Sequence, residues 1–127
     1  METHPFRLAV EARDLDAMVA TLADDVEFHS PVSFRPFVGR EAASQVLAAV
    51  VDTFEDFRYV DELQGDGTSC LVFQARVGDR DLDGIDYLRL GPDGLVTELM
   101  VMVRPYSAAT ALRDAMGARL EALASGS

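Results

Sequence analysis

The chain has one cysteine, no lysine, no tryptophan and no long apolar run, and each scarcity removes a class of protein. A single thiol, Cys70, cannot form an internal disulfide. It stands among strand-forming residues with no basic cluster beside it, so it reads as a small buried hydrophobe rather than a nucleophile. Positive charge is also scarce: 11 basic residues, all arginines scattered singly, face 22 acids and leave a net charge of -11. Such a surface repels phosphate backbones, and nucleic acid is not an expected partner. No stretch approaches the roughly 20 apolar residues that cross a bilayer. Arg7, Glu11, Arg13, Asp14 and Asp16 interrupt any secretory leader within residues 1–20. The expectation is a cytoplasmic protein without membrane contact.

What is present suits one domain, residues 1–127, with a single core over about 5–105 and a C-terminal helix over about 107–124. The clearest signal is Gly84 to Pro105. Two runs of period-two alternation flank Gly91-Pro92-Asp93-Gly94, a tetrapeptide that favours a tight reversal, so the segment reads as a β-hairpin. On its first strand Gly84, Asp86, Leu88 and Leu90 share a face. A carboxylate in that row is costly to bury unpaired, which makes Asp86 paired, protonated or functional.

Upstream, Phe6, Val10, Met18 and Leu22 form a helical stripe broken near Asp14, predicting two helices with Asp14 capping the second. Val26 to Ser30 alternates and stops at Pro31, a short strand with Val26, Phe28 and Ser30 inward. Residues 31–39 form an apolar loop. Gly39-Arg40-Glu41 opens a helix bearing Val46, Leu47, Val50, Val51 and Phe54. Strands follow at Phe57 to Leu63 and Thr68 to Val77, so four strands succeed one another in antiparallel order. Pro105 stops the last. Ser107 can cap a final helix with Leu112, Met116, Leu120 and Leu123 on its apolar side, ahead of a frayed Ser-Gly-Ser tail.

This order predicts an α+β fold, a curved and mostly antiparallel sheet wrapped around helices gathered on one face. Helices that cannot fill a curled sheet leave a pocket for a small apolar ligand. Its candidate lining is Phe6, Met18, Phe28, Ser30, Phe34 and Phe37 from the first half. From the second half come Phe54, Phe73, Leu88, Leu99, Val101 and Val103, with Asp86 as the polar group. The other sheet face mixes Ile85, Tyr87, Met100 and Met102 with charges, which predicts a homodimer through that face. His29 points outward, and His4 lies in a terminus expected to be mobile. Asp79, Asp81 and Asp83 lack the glycine and closing glutamate of a calcium loop, so no metal is expected. Arg35 and Arg76 read as ion-pair partners.

The segments Leu22 to Val32 (LADDVEFHSPV), Phe37 to Glu41 (FVGRE), Gly84 to Leu90 (GIDYLRL) and Asp93 to Glu98 (DGLVTE) resemble the SnoaL-like branch of the nuclear transport factor 2-like superfamily. The resemblance implies a cone-shaped, cystatin-like domain with a deep apolar pocket, dimeric through the outer sheet face. It also implies cofactor-free chemistry of the isomerase, cyclase or dehydratase type on a neutral cyclic, polyketide- or terpenoid-like ligand. The catalytic residue that resemblance carries over is Asp86. In ketosteroid isomerases an acid abstracts the proton where this chain has Ser30, and a helical tyrosine donates where it has Phe6. A limonene-epoxide-hydrolase set fails as well, with Arg76 present but Gly78 and Val101 where acids are required. The alternative is a ligand-binding or dimerisation domain without turnover.

Overall fold

The computed structural model describes residues 2–125, with side chains through Arg119. The elements are α1 (Pro5–Glu11), α2 (Leu15–Ala20), β1 (Leu22–His29), β2 (Phe37–Val38), α3 (Arg40–Thr53), β3 (Glu55–Gly65), β4 (Thr68–Val77), β5 (Arg80–Leu90), β6 (Val96–Arg104) and α4 (Tyr106–Ser125). Both N-terminal helices start where the sequence supplies a cap. Asp14 accepts the Ala17 N–H at 3.1 Å, and the His4 ring accepts the Phe6 N–H at 3.0 Å ahead of Pro5. His4 also reaches the carbonyl of Gly94, 2.9 Å away. That tie joins the start of the chain to the β5–β6 turn and corrects the expectation of a loose terminus.

The six strands form one sheet in the order β2-β1-β6-β5-β4-β3. The meander β3 to β6 is antiparallel, as alternation and turns predicted. What local patterning did not show is that β1 joins β6 in parallel, Phe28 beside Leu99, while β2 pairs back on β1. This pairing extends β1 to Leu22, four residues earlier than its alternation marks. Register shifts interrupt the β1–β6, β3–β4 and β5–β6 ladders; such bulges increase twist and bend the sheet. An α+β fold with helices inside a curved, unclosed sheet results.

The concave face carries the core. Leu71, Phe73 and Ala75 of β4, Leu82 and Leu88 of β5, and Val96, Leu99 and Val101 of β6 are buried beneath Phe6, Met18, Val46 and Leu47 of the helices. Gly84 belongs to this face for a reason of space. It lies opposite Phe73, whose ring occupies the volume a Cβ at Gly84 would need. The β5–β6 turn closes through Gly94 N–H to the Gly91 carbonyl and Gly91 N–H to the Leu95 carbonyl, both 2.9 Å, with Gly94 at φ 82°. On α4, Ala108, Leu112 and Met116 pack inward onto this same chain. Leu120 and Leu123 lie beyond the described side chains, and the expected fraying of the tail falls largely outside the described residues.

The convex face exposes a band of mixed character. Tyr87 sits between Cys70 and Met100, and Ile85 between Val72 and Met102. Leu63 and Met102 are about half exposed, at 55% and 47%. Cys70 is therefore a half-buried residue of this outer face rather than of the core, because Ser69 and Leu71 hold the inward positions of β4. No helix among the described residues is long and apolar enough to cross a membrane.

Replacing Gly84 with alanine should force the Phe73 ring out of its place and lower unfolding free energy by about 1–3 kcal/mol. Urea titration measures this, and the G84A/F73L double variant should recover part of the loss. An unchanged midpoint in G84A would show that the ring yields freely.

Candidate functional site

A narrow apolar cavity lies between the concave sheet face and the helices, enclosing about 70 Å³. Its floor is Phe28 of β1, Asp86 of β5, and Leu99 and Val101 of β6. Helical spacing on α3 brings Val46, Leu47, Val50 and Val51 to one side, and Leu112 and Met116 of α4 close another. Phe6, Val10 and Met18 come from α1 and α2, Phe54 and Phe57 from the α3–β3 junction, and Ser30, Pro31 and Val32 from the segment leaving β1. Apart from Arg13, whose backbone is left-handed at φ 54°, the polar side chains on this wall are Asp86 and Ser30. The Ser30 hydroxyl accepts the Val32 N–H at 3.1 Å, a turn-forming bond.

Asp86 sits mid-strand between Leu71 of β4 and Val101 of β6, and only 8% of its surface is exposed. Tyr59 of β3 donates its hydroxyl to Asp86 Oδ2 at 2.6 Å. That is the only side-chain hydrogen bond to Asp86 among the described residues. Burial among apolar groups pushes the carboxyl up to about 7, against a smaller downward pull from the Tyr59 bond. The same burial, with the neighbouring carboxylate, drives the Tyr59 phenol well above its ordinary range, so Tyr59 stays a donor. At neutral pH Asp86 divides between carboxylic acid and carboxylate. As the acid, with Oδ2 engaged by Tyr59, it has Oδ1–H to offer a ligand oxygen.

Tyr59 is itself held from several sides. The Phe57 ring meets it edge-on with centroids 5.0 Å apart, and the Arg7 guanidinium lies over it at 5.4 Å. Glu62 fixes Arg7 through a 2.7 Å ion pair that raises the arginine's pKa further. Phe57 in turn stacks on Phe73 at 4.8 Å. A run of contacts from Glu62 through Arg7 and Tyr59 thus ends on the carboxyl of Asp86.

Of the candidate residues, Asp86, Phe6, Met18, Phe28, Ser30, Phe54, Leu99 and Val101 meet at the cavity. Five others do not line it. Phe34 is wholly exposed, because Pro31 and Val32 take the wall positions of that loop. Phe37 pairs with β1 and touches Phe28 edge-on at 6.5 Å. Phe73 and Leu88 are fully buried, Phe73 beneath Phe57 rather than on the wall. Val103 packs partly buried at the margin of the core. Sequence reading missed Tyr59, although alternation from Phe57 put it on the inner face, and it missed Arg13, which no periodicity marks. Val46, Val50, Leu112 and Met116 were visible as helical stripes, with no indication of which stripe faces a void.

A SnoaL-like domain model matches residues 5–99. The chain belongs to the SnoaL-like domain family. Among solved structures, this SnoaL-like domain is 39% identical to a steroid delta-isomerase from Pseudomonas aeruginosa, covering 92% of this chain and 87% of that one with a TM-score of 0.88. A protein of cystatin-like fold from Silicibacter pomeroyi DSS-3 is 36% identical over 91% of this chain and 82% of that one, TM-score 0.86. The epoxide hydrolase/cyclase-like enzyme SalBIII, which takes part in pyran ring formation in salinomycin, shares the fold at 16% identity, 81% and 87% coverage and TM-score 0.67. Among curated proteins nothing matches.

Most of the remaining chemistry-bearing groups of the SnoaL-like domain are engaged elsewhere. Arg76 pairs with Glu55 at 2.8 Å and with Asp56, His29 lies 3.5 Å from Glu98, and Asp83 holds Arg104 at 2.7 Å. Arg35 does not form the expected ion pair with any described acid; it stands exposed on the loop beside Phe34. Burial and the nearby acids Asp86 and Asp61 push the Cys70 thiol up, away from thiolate reactivity. No group of three or more His, Cys, Asp or Glu among the described residues is arranged to hold a metal ion.

A carboxyl raised from 3.8 to about 7 in the folded state binds its proton more tightly folded than unfolded. Its contribution to stability is therefore greatest below about pH 4 and is lost as pH rises towards 7. Relative to wild type, Asp86→Asn should gain on the order of 3 kcal/mol between pH 4 and pH 8. Urea unfolding of both proteins at the two pH values reads this; a difference that does not change with pH would mean that Asp86 ionises normally.

Proposed function

We propose that the cavity binds an apolar carbonyl compound, its oxygen hydrogen-bonded by neutral Asp86, and that the protein catalyses cofactor-free proton transfer beside that carbonyl. The reaction class is isomerisation, aldol cyclisation or dehydration. One observation carries the reading: a buried carboxyl on an apolar wall, held near neutrality and oriented by Tyr59. A neutral acid donating to a carbonyl oxygen withdraws electron density and acidifies the neighbouring C–H, whose proton passes to a water molecule because the wall supplies no second carboxyl or histidine. Ketosteroid isomerases use an aspartic acid in this way, and the 39% identity to a steroid delta-isomerase supports the same class here. A cyclic ligand of polyketide or terpenoid type requires the cavity to widen. Its 70 Å³ is below the ~150 Å³ of an apolar cavity that takes up benzene. Met18 and Met116, flexible unbranched side chains on the wall, are the groups best able to give way.

A second reading, a binding domain without turnover, draws on one specific observation. The wall carries no second carboxyl or histidine beside Asp86, and Ser30 cannot exchange a proton at neutral pH. Deuterium incorporation next to the carbonyl of 2-cyclohexenone, followed by NMR in D₂O, separates the two. Wild type should exceed buffer, with a rate that falls as pH rises through about 7, and Asp86→Asn should lose at least ~100-fold. Exchange no faster than buffer would remove catalysis and favour the binding domain.

We also propose that two copies associate through the convex sheet face. Ile85, Tyr87, Met100 and Met102 form neighbouring cross-strand pairs there, an apolar band flanked by the pairs Arg89–Glu98 and Arg104–Asp83. Charge at the centre of such a band opposes its burial. Met102→Glu should convert a sedimenting dimer into a monomer without altering the far-ultraviolet circular dichroism, and a wild-type monomer would refute the association.

A further inference from the structure

We infer that the cavity mouth is an anion subsite built on the Arg13 guanidinium, and that the ligand is an amphipathic carboxylic acid whose apolar body runs inward while its acid group stays at Arg13. This rests on the proposed reading of the cavity as an apolar ligand site and names the ligand's other end. Among the residues on the cavity wall, Arg13 alone is exposed, which makes it the wall residue most open to solvent. A cation placed there is unusual for a chain of net charge -11, in which an arginine left without an acid at a cavity wall needs explaining.

Arginines 7, 40, 76, 80, 89, 104, 113 and 119 all have carboxylate partners. Arg58 is held by Gln74 and the Asp56 carbonyl, and Arg35 stands away from the cavity wall. Arg13 has no carboxylate partner among the described residues. Three acids near it along the chain and across the α3 contact are occupied, and Asp16, three residues on, makes no ion pair with it. Glu11 lies against Arg7 at 3.4 Å, Asp14 caps α2, and Asp52 is held by Arg119 at 2.7 Å. Arg13 makes one side-chain hydrogen bond, from Nη2 to the Val51 carbonyl at 3.1 Å, which steadies the guanidinium against α3 and leaves its other N–H donors to face a ligand. The backbone beneath it is left-handed, φ 54°, a conformation that glycine or asparagine adopts more readily than arginine. The planar fork of donors matches a carboxylate. The two ionisable groups of the wall then have separate tasks, an acid within for a carbonyl or hydroxyl and a cation at the mouth for an anion.

The test uses octanoate and octanamide, which share shape and differ in charge, with protein labelled at the methionine methyls. Met18 and Met116 line the cavity, while Met100 and Met102 lie on the convex face and serve as internal controls. At pH 6 Asp86 is mostly neutral and octanoate is ionised. Octanoate should shift the Met18 and Met116 resonances with a Kd about fivefold below that of octanamide, the scale of one partly exposed charge pair. Arg13→Gln should bring the two together by weakening octanoate only, Arg13→Lys should keep the preference, and salt should diminish it. Equal affinities in wild type, or an Arg13→Gln protein that still prefers octanoate, would overturn the subsite while octanamide binding upholds the cavity. Neither compound shifting Met18 or Met116 would overturn both.

Discussion

The candidate site depends on a carboxyl group buried in an apolar sheet face, where a phenol reaches it. Without the Tyr59 hydroxyl at 2.6 Å, Asp86 would stand between Leu71 and Val101 with no side-chain partner, at a desolvation cost of several kcal/mol for the charged form. With it, burial still dominates and the group stays near neutrality. A residue chosen only for stability at that position would be a valine or leucine like its neighbours. Asp86 is a local departure from a consistent fold, and such departures concentrate where chemistry or recognition is carried out.

The rest of the scaffold supports that placement. Bulges bend the sheet, Gly84 leaves room for Phe73, Phe73 underlies Phe57, and Phe57 fixes the edge of Tyr59. Close packing transmits position along such a series because each ring has little free volume in which to move. On the opposite side α3 and α4 contribute branched and flexible side chains rather than a filled layer, and a narrow void remains. The sheet orients the polar group, and the helices leave the void beside it.

Much of the fold was legible from local pattern. Period-two alternation in Thr68–Val77, the Gly-Pro-Asp-Gly turn and the Asp14 cap each follow from residues close in sequence, and they match β4, the β5–β6 turn and α2. The site was legible only in part. Alternation assigned Asp86 to a buried row, and helical stripes exposed Phe6, Val46 and Leu112, but a stripe that meets a void and one that meets a packed side chain look the same. Phe34 and Phe73 show the ambiguity, one wholly exposed and the other wholly buried, with nothing in their hydrophobicity to separate them.

The sequence by itself determined the element order, the antiparallel meander and the presence of a carboxylate in an apolar row, since all of these arise from spacing within a dozen residues. Only the tertiary structure decided that β1 runs parallel beside β6, that Tyr59 is the partner of Asp86 across 27 positions, and that Arg13 joins the cavity wall. Those are contacts between segments distant along the chain. Their energies depend on which surfaces exclude water together, a quantity that no single stretch of sequence contains.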